Sequence, residues 1–402
     1  MAGSESGDWR ARPLRIGLLW HSSNSGNLGV GALTVANLAI VRDVAIASGF
    51  DPKFTIIGMR DAGASYLDAD SATNFPIDAR SLLSPRGYWA AARQQDCIID
   101  IGAGDSFAEI YGIKRFFFLW LTKAMALARG TPLLLAPQTI GPFTRQPYKA
   151  LGKWAMTHAL SVVARDEMSA AAISELAPGA HRVQSIDVAF ALPFCPAVRR
   201  PDGGPLRIGV NVSGLLFNEA EAGRNRFHLS FDYARLTRRL LGALVERGDL
   251  EVHLVTHALH ATDPADDDGR VADRLAREFP MVVRVASFPG PSAAKSYISG
   301  LDFLFAARMH ACIAAYSSGT PVVPLAYSRK FAGLFGTLGY DRLVPTQGFD
   351  EDQALQFLIE SLDMRNELRA RAADGMVKVE GFLDAYRGEL RRLFGVAARR
   401  SR

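Results

Sequence analysis

Arg308 and His310 stand two residues apart, where the apolar run Phe303 to Ala306 gives way to the small-residue stretch Ala311 to Ser318. A guanidinium fork can clamp a phosphate or carboxylate, and an imidazole can move a proton near neutral pH. A second arginine, Arg165, follows the apolar run Leu160 to Ala164 in the same way. One arginine from each half of the chain could converge on a single anionic ligand. The plainer alternatives are a salt bridge for Arg308 and a turn cap for His310, because structural ion pairs use the same residue types.

These residues need a scaffold that brings strand ends together. Leu14 to Trp20, Phe54 to Ile57, Cys97 to Ile101, Pro132 to Ala136 and Leu160 to Ala164 read as buried strands. Helical patterns at Ala32 to Ser48, Lys114 to Arg129, Tyr148 to His158 and Met168 to Leu176 alternate with them. A proline- and glycine-dense stretch, Pro193 to Pro205, then reads as an exposed linker. The alternation restarts with strands at Arg207 to Val212, Glu251 to Thr256, Val282 to Val285, Phe303 to Ala306 and Val322 to Ala326. The intervening helices are Phe231 to Arg247, Asp266 to Phe279, Pro291 to Gly300, Cys312 to Ser318 and Phe331 to Leu338.

The expected fold is therefore α/β: two Rossmann-like domains, residues 14–192 and 206–345, facing a cleft. A helical tail, 350–398, packs on the outside or crosses back to the first domain. Ligands of open parallel sheets bind at the carboxyl ends of the strands, where Arg165, Arg308 and His310 fall.

Other loops at strand ends carry polar groups. The turn from His21 to Gly31 contains Asn27 and Gly29 and offers amides to an anion, although no Gly-Lys-Ser/Thr of a P-loop and no dinucleotide GxGxxG is present. Gly102, Gly104, Asp105 and Ser106 follow the third strand, and Gln138 and Thr139 follow the fourth; their hydrogen-bonding groups suit sugar hydroxyls. Asp105 and Asp166 could equally cap helices, and Asp187 could form a hinge salt bridge. His253, His257 and His260 lack the helical face that would gather a zinc ion, and no GxSxG elbow supports serine hydrolysis.

Composition narrows the classes further. The 402 residues, 49% hydrophobic and 22% charged, suffice for two cores. The net charge of +5 is too diffuse for a nucleic-acid partner, with excess in Arg199, Arg200 and the tail from Arg391 to Arg402. That basic tail leaves contact with acidic lipid headgroups open. Cys97, Cys195 and Cys312 read as reduced core residues. No uncharged apolar stretch reaches the length of a membrane span and no signal peptide opens the chain, so the expected location is cytoplasmic, with peripheral contact at the inner face of the membrane allowed.

In order, Gly26-Asn27-Leu28-Gly29, Gly102-Ala103-Gly104-Asp105-Ser106, Gln138-Thr139-Ile140-Gly141-Pro142, Val163-Ala164-Arg165-Asp166 with Ser169, Asp187, Arg308-Met309-His310-Ala311 with Gly319-Thr320-Pro321, and Tyr327-Ser328-Arg329-Lys330 resemble the polysaccharide pyruvyl transferase family. The resemblance spans residues 15 to 340. It implies a GT-B-like fold and transfer of the enolpyruvyl group of phosphoenolpyruvate to two hydroxyls of a polysaccharide or lipid-linked sugar. A cyclic pyruvate ketal and phosphate would result. It further implies that Arg165, Arg308 and His310 hold phosphoenolpyruvate, with the first domain shaping the acceptor pocket; Lys330, in the loop after the last strand, is a candidate further phosphate contact, with a plain surface lysine as the alternative. Phosphoenolpyruvate is then a co-substrate, and no metal or cofactor is required. Two positions depart from the family pattern: Val30 replaces an aspartate, and Ala103 replaces the middle of three glycines. A nucleotide-sugar glycosyltransferase of GT-B fold and a catalytically silent carbohydrate-binding protein are the competing readings.

Overall fold

The computed structural model describes residues 11–61, 63–198, 204–260 and 263–400. In the first half β1 (Arg12–Leu19) leads to α1 (Leu28–Ala47), β2 (Phe50–Gly58), β3 (Thr73–Pro76), α2 (Ala79–Leu83), α3 (Tyr88–Gln94) and β4 (Cys97–Asp100). Then come α4 (Gly112–Ala128), β5 (Leu133–Gln138), α5 (Tyr148–His158), β6 (Ser161–Ala164), α6 (Glu167–Leu176) and β7 (Arg182–Gln184). These strands form one parallel sheet in the order β3-β2-β1-β4-β5-β6-β7.

The second half contains β8 (Leu206–Asn211), α7 (Gly214–Glu221), α8 (Tyr233–Glu246), β9 (Leu250–Val255), α9 (Asp268–Glu278), β10 (Val283–Arg284) and α10 (Pro291–Ile298). It continues with β11 (Phe303–Ala306), α11 (Met309–Ser318), β12 (Val322–Pro324), α12 (Arg329–Leu338), α13 (Glu351–Asp363) and α14 (Arg365–Arg400). Its parallel sheet runs β10-β9-β8-β11-β12. Strand order reverses between β1 and β4 in one sheet and between β8 and β11 in the other, which marks the ligand crevice of each.

The central strands β4, β5, β6 and β11 are buried at every position, so they read as continuous apolar runs rather than alternating ones. Ion-paired and polar exceptions sit at their ends. Asp100 closes β4 and meets Lys123 of α4 at 2.7 Å, both side chains fully buried. Burial pushes the carboxyl up and the amine down, while each charge opposes the other's shift.

α1 is apolar on most of its surface because β2, α10, α11, α14 and the turn at Val188–Ala191 pack around it. Among the described residues it alone is long and apolar enough to cross a membrane, but it is mostly buried inside the fold. Arg42 and Asp43 near its end are why the sequence shows no uncharged run of that length.

The tail crosses back to the first sheet. α14 lies against α1, β4, β5 and β7, and its Tyr386 hydroxyl donates to Asn37 Oδ1 at 2.7 Å. Asn37 Nδ2 in turn bonds His21 Nε2 at 2.9 Å, while His21 Nδ1 bonds the Leu19 carbonyl. Both ring nitrogens are engaged, and burial lowers this histidine to about 4, so it is a neutral structural residue. Cys195 departs from the expected core placement: it is exposed in the linker, whereas Cys97 and Cys312 are buried. Arg199, Arg200 and Arg402 lie outside the described residues.

Candidate active site at the facing strand ends

After β4 the chain turns through Gly102, Ala103 and Gly104 at φ of 55°, 51° and 87°. Three consecutive left-handed residues reverse the backbone within one short 3-10 turn. Asp100 Oδ1 accepts the Gly102 amide at 2.7 Å and holds the start of that turn. Asp105 therefore leaves the sheet pointing at the other half of the molecule. There it pairs with Lys330 Nζ on the first turn of α12 and accepts the Tyr111 hydroxyl at 2.7 Å. Burial alone would raise this carboxyl, but Lys330, Tyr111 and Arg165 together hold it below the usual carboxylate range.

Arg165 follows β6 and is 2% exposed. Its Nη1 donates to Asp187 Oδ2 at 2.9 Å, and Asp187 Oδ1 caps the Val188–Ala191 turn through the Ala189 amide. Asp166 next to it caps α6, accepting the Ser169 amide at 2.7 Å.

Across the interface, Arg308 is the N-cap residue of α11, with its amide bonded to Asn211 Oδ1 at 2.9 Å. Its guanidinium forks onto Asp268, Nε at 3.0 Å and Nη2 at 2.6 Å, and Nη2 also reaches Asp266. Burial works against the charge, but Asp268 and Asp266 outweigh it and raise the arginine further above its ordinary value. Asp268 itself is fully buried and accepts the amides of Gly214, His257 and Ala258. Nη1 of Arg308 and Nη2 of Arg165 hold no hydrogen bond among the described residues.

His310 lies two residues into α11, with Nε2 3.8 Å from Asp187 Oδ2 and no hydrogen-bond partner among the described residues. Burial lowers its pKa, Asp187 pulls it up, and the nearby Arg165 and Lys330 oppose Asp187. The ring is neutral at pH 7 as a result. Its Nδ1 faces Gly29 of α1, where a Cβ would lie 2.3 Å away. A proton on Nε2 facing Asp187 leaves the lone pair on Nδ1.

The structure thus gathers Arg165, Asp187, Asp105, Lys330 and His310 at one point between the two sheets. Arg308 is beside them but anchored to Asp268, which is the salt-bridge alternative of the sequence reading realised. Asn27 and Gly29 do not offer free amides. Asn27 Oδ1 caps α1 through the Gly29 amide, and the Leu28 amide bonds the His257 carbonyl. Gly26 and Asn27 form a bridge to Ala258 and Leu259, so this turn links the domains. Gly104 donates no side chain; a Cβ there would meet Leu33 at 2.7 Å. Ser106 is fully buried and its hydroxyl accepts from Arg115. Gln138 is fully buried, with Nε2 on the Asp100 and Ala136 carbonyls and Oε1 facing Gly102. Ser106 and Gln138 therefore brace the loops behind the cluster.

One partner, Asp268, carries no motif in the sequence, and a second, His257, is one of the three loop histidines named above. Asp268 opens a helix within the run Asp266-Asp267-Asp268, a pattern that signals capping, and Asp267 does cap α9. His257 is buried next to Arg308 and His310 and is lowered to about 3, by burial first and then by the charge that His310 carries when protonated and that of Arg308. Among the described residues no group of three His, Cys, Asp or Glu side chains is arranged to hold a metal ion.

A model of the family described as polysaccharide pyruvyl transferase matches residues 35–329. No curated protein sequence matches the chain. Among solved structures, a Listeria monocytogenes protein described as a UDP-N-acetylglucosamine 2-epimerase is similar at a TM-score of 0.56 and 10% identity, covering 90% of this chain and 91% of that one. The UDP-forming α,α-trehalose-phosphate synthase of Burkholderia vietnamiensis has a TM-score of 0.54 at 12% identity, with 98% of each chain covered. The UDP-GlcNAc 2-epimerase of Neisseria meningitidis, bound to UDP-GlcNAc, has 0.52 at 12%, covering 92% and 100%. At these identities the likeness shows the fold alone: a GT-B-like pair of Rossmann-type sheets.

Proposed function

Because the chain belongs to the polysaccharide pyruvyl transferase family, we propose that it transfers the enolpyruvyl group of phosphoenolpyruvate to two hydroxyls of a sugar. The observation that carries this reading is the meeting of Arg165, Lys330 and His310 from opposite sheets around Asp187 and Asp105. Phosphoenolpyruvate bears a carboxylate and a phosphate. The outward Nη atoms of Arg165 and Arg308, with Lys330 released from Asp105, supply cationic donors to both.

The chemistry balances without a resident cofactor. The methylene carbon of phosphoenolpyruvate gains a proton, and a sugar hydroxyl oxygen bonds to the central carbon as it loses its own. The carbon–oxygen bond to phosphate then breaks, and the second hydroxyl closes the ketal, its proton leaving with phosphate. Neutral His310 is the base on the first hydroxyl, and Asp187 stabilises the imidazolium that forms. The first sheet's crevice is the acceptor side in this scheme, and the cytoplasm is the proposed location.

The test is release of phosphate from phosphoenolpyruvate with a panel of glycans and lipid-linked sugars, read together with the mass gain of the acceptor. Release that persists in His310→Gln overturns the reading. So does thermal stabilisation by UDP with none by phosphoenolpyruvate, which would mark a nucleotide-sugar enzyme.

A further inference from the structure

Between Glu109 and Asp166 the chain has no Asp or Glu and eight Lys or Arg. Four of these bases are occupied in the fold. Arg115 bonds Ser106, Lys123 pairs with Asp100, Arg129 lies over Trp89, and Arg165 pairs with Asp187. Lys114 and Lys153 are exposed and Lys149 is half-buried, and none of them has an ion-pair partner among the described residues. Arg145, also exposed, lies over the Tyr148 ring.

The same region exposes apolar side chains. Ile110 is 56% exposed, Ile113 44% and Phe117 45%, and Ile113 and Phe117 stand four residues apart on one face of α4. Behind them Phe117 stacks on Trp120 at 5.5 Å, and Trp120 meets Trp154 of α5 at 5.6 Å. Glu109 accepts the Thr144 amide and ties the entries of α4 and α5 side by side. Exposed apolar residues and unpaired lysines on one surface are what a lipid–water boundary selects.

The patch also adjoins the site. Tyr111, in the turn between Ile110 and Ile113, donates its hydroxyl to Asp105. We propose that the face built by the 109–111 turn and the first halves of α4 and α5 docks on a bilayer surface carrying anionic phospholipid headgroups, with the mouth of the cleft turned to the bilayer. The charge matches that surface, and Ile110, Ile113 and Phe117 enter the headgroup layer. Within the basic tail, Arg392 is turned back onto the Leu160 carbonyl. Docking stands on surface chemistry; only its use, presenting a lipid-linked sugar acceptor, rests on the pyruvyl-transfer reading.

Co-sedimentation of the full chain with phosphatidylcholine vesicles, with and without phosphatidylglycerol, tests docking apart from activity. Binding is expected with phosphatidylglycerol, weakening as salt is added. Lys114→Glu/Lys153→Glu should lose at least tenfold, since each basic residue near an anionic surface contributes about fivefold. Ile113→Ser/Phe117→Ser should lose a comparable factor with an unchanged thermal transition. No binding at low salt, or binding that both double variants retain, overturns the proposal. A dimer that Ile113→Ser/Phe117→Ser dissociates also overturns it, because a second copy would then own the face. Failure to release phosphate from phosphoenolpyruvate leaves vesicle binding intact and counts only against the catalytic reading.

Discussion

The missing side chain of Gly29 is the space that the His310 imidazole fills. They sit on the first turns of α1 and α11, behind different sheets, and a Cβ at Gly29 would lie 2.3 Å from Nδ1 and 2.8 Å from Cγ. Alanine is better than glycine inside a helix by about 1 kcal/mol, so Gly29→Ala does not damage α1 itself. It displaces the imidazole. A displacement of that size costs roughly 100-fold in rate when it moves a reacting group. Gly29→Ala is expected to retain its thermal transition within a few degrees and to lose turnover. Equal loss of both would place Gly29 in folding rather than in positioning His310.

The pH dependence of turnover follows from the lowered His310. A base must be neutral, so the rate should fall only below about pH 6.5, the ordinary histidine value. Asp187 pulls the imidazole up. Asp187→Asn should therefore move the acid limb of the pH–rate profile to still lower pH while reducing the maximum. A limb that moves upward would contradict the proposed pairing.

Stability in acid should reflect His257 and His21, lowered to about 3 and about 4. Their folded values lie below the unfolded one, so the unfolded chain binds protons first. The stability these neutral rings support is full above pH 6.5 and is lost as pH falls towards 3 to 4. The urea midpoint of His257→Asn should accordingly vary less with pH between 6.5 and 4 than that of the wild type. Parallel curves would show that His257 is protonated without cost.

Lys295 reports in the opposite direction of pH. It is buried in α10 and donates to the Phe190 and Leu192 carbonyls, both at 3.1 Å, with no carboxylate paired to it among the described residues; burial lowers its amine to about 7. A lysine lowered on folding favours the folded chain least when it is charged. Stability should rise as pH goes from 7 towards 10, and Lys295→Met should flatten that rise in a thermal melt.

Ala103 stands where the family pattern has glycine, and its φ of 51° and ψ of 27° are left-handed. That conformation costs an alanine about 1–2 kcal/mol, partly offset by the greater freedom glycine loses on folding. Ala103→Gly should stabilise the chain by about 0.5–1 kcal/mol in urea unfolding. Destabilisation would mean that the turn relaxes around alanine.

Much of the fold was legible in sequence because buried parallel strands announce themselves as apolar runs. β4, β5, β6, β8 and β11 appear within a residue or two of where Cys97, Leu133, Ser161, Leu206 and Phe303 begin them. The edge strands β3 and β7 were not legible. Thr73–Pro76 and Arg182–Gln184 have no buried position, so no apolar run distinguishes them from loop. α1 begins at Leu28, four residues before the helical pattern suggests, since Gly29 and Gly31 read as loop until Asn27 is seen to cap them.

For the site, the chain by itself determined which residues stand at strand ends. Arg165, Arg308 and His310 follow apolar runs, and local pattern is enough to say so. Tertiary structure decided their partners. Arg165 meets Asp187 22 residues on, Arg308 meets Asp268 40 residues back, and Lys330 meets Asp105 225 residues back. Those pairings depend on strand order and on how the two sheets face each other, which no local period encodes. The contact of His310 with Gly29 is of the same kind: a glycine in a loop-like sequence becomes a space for an imidazole only once two separately folded sheets are brought together.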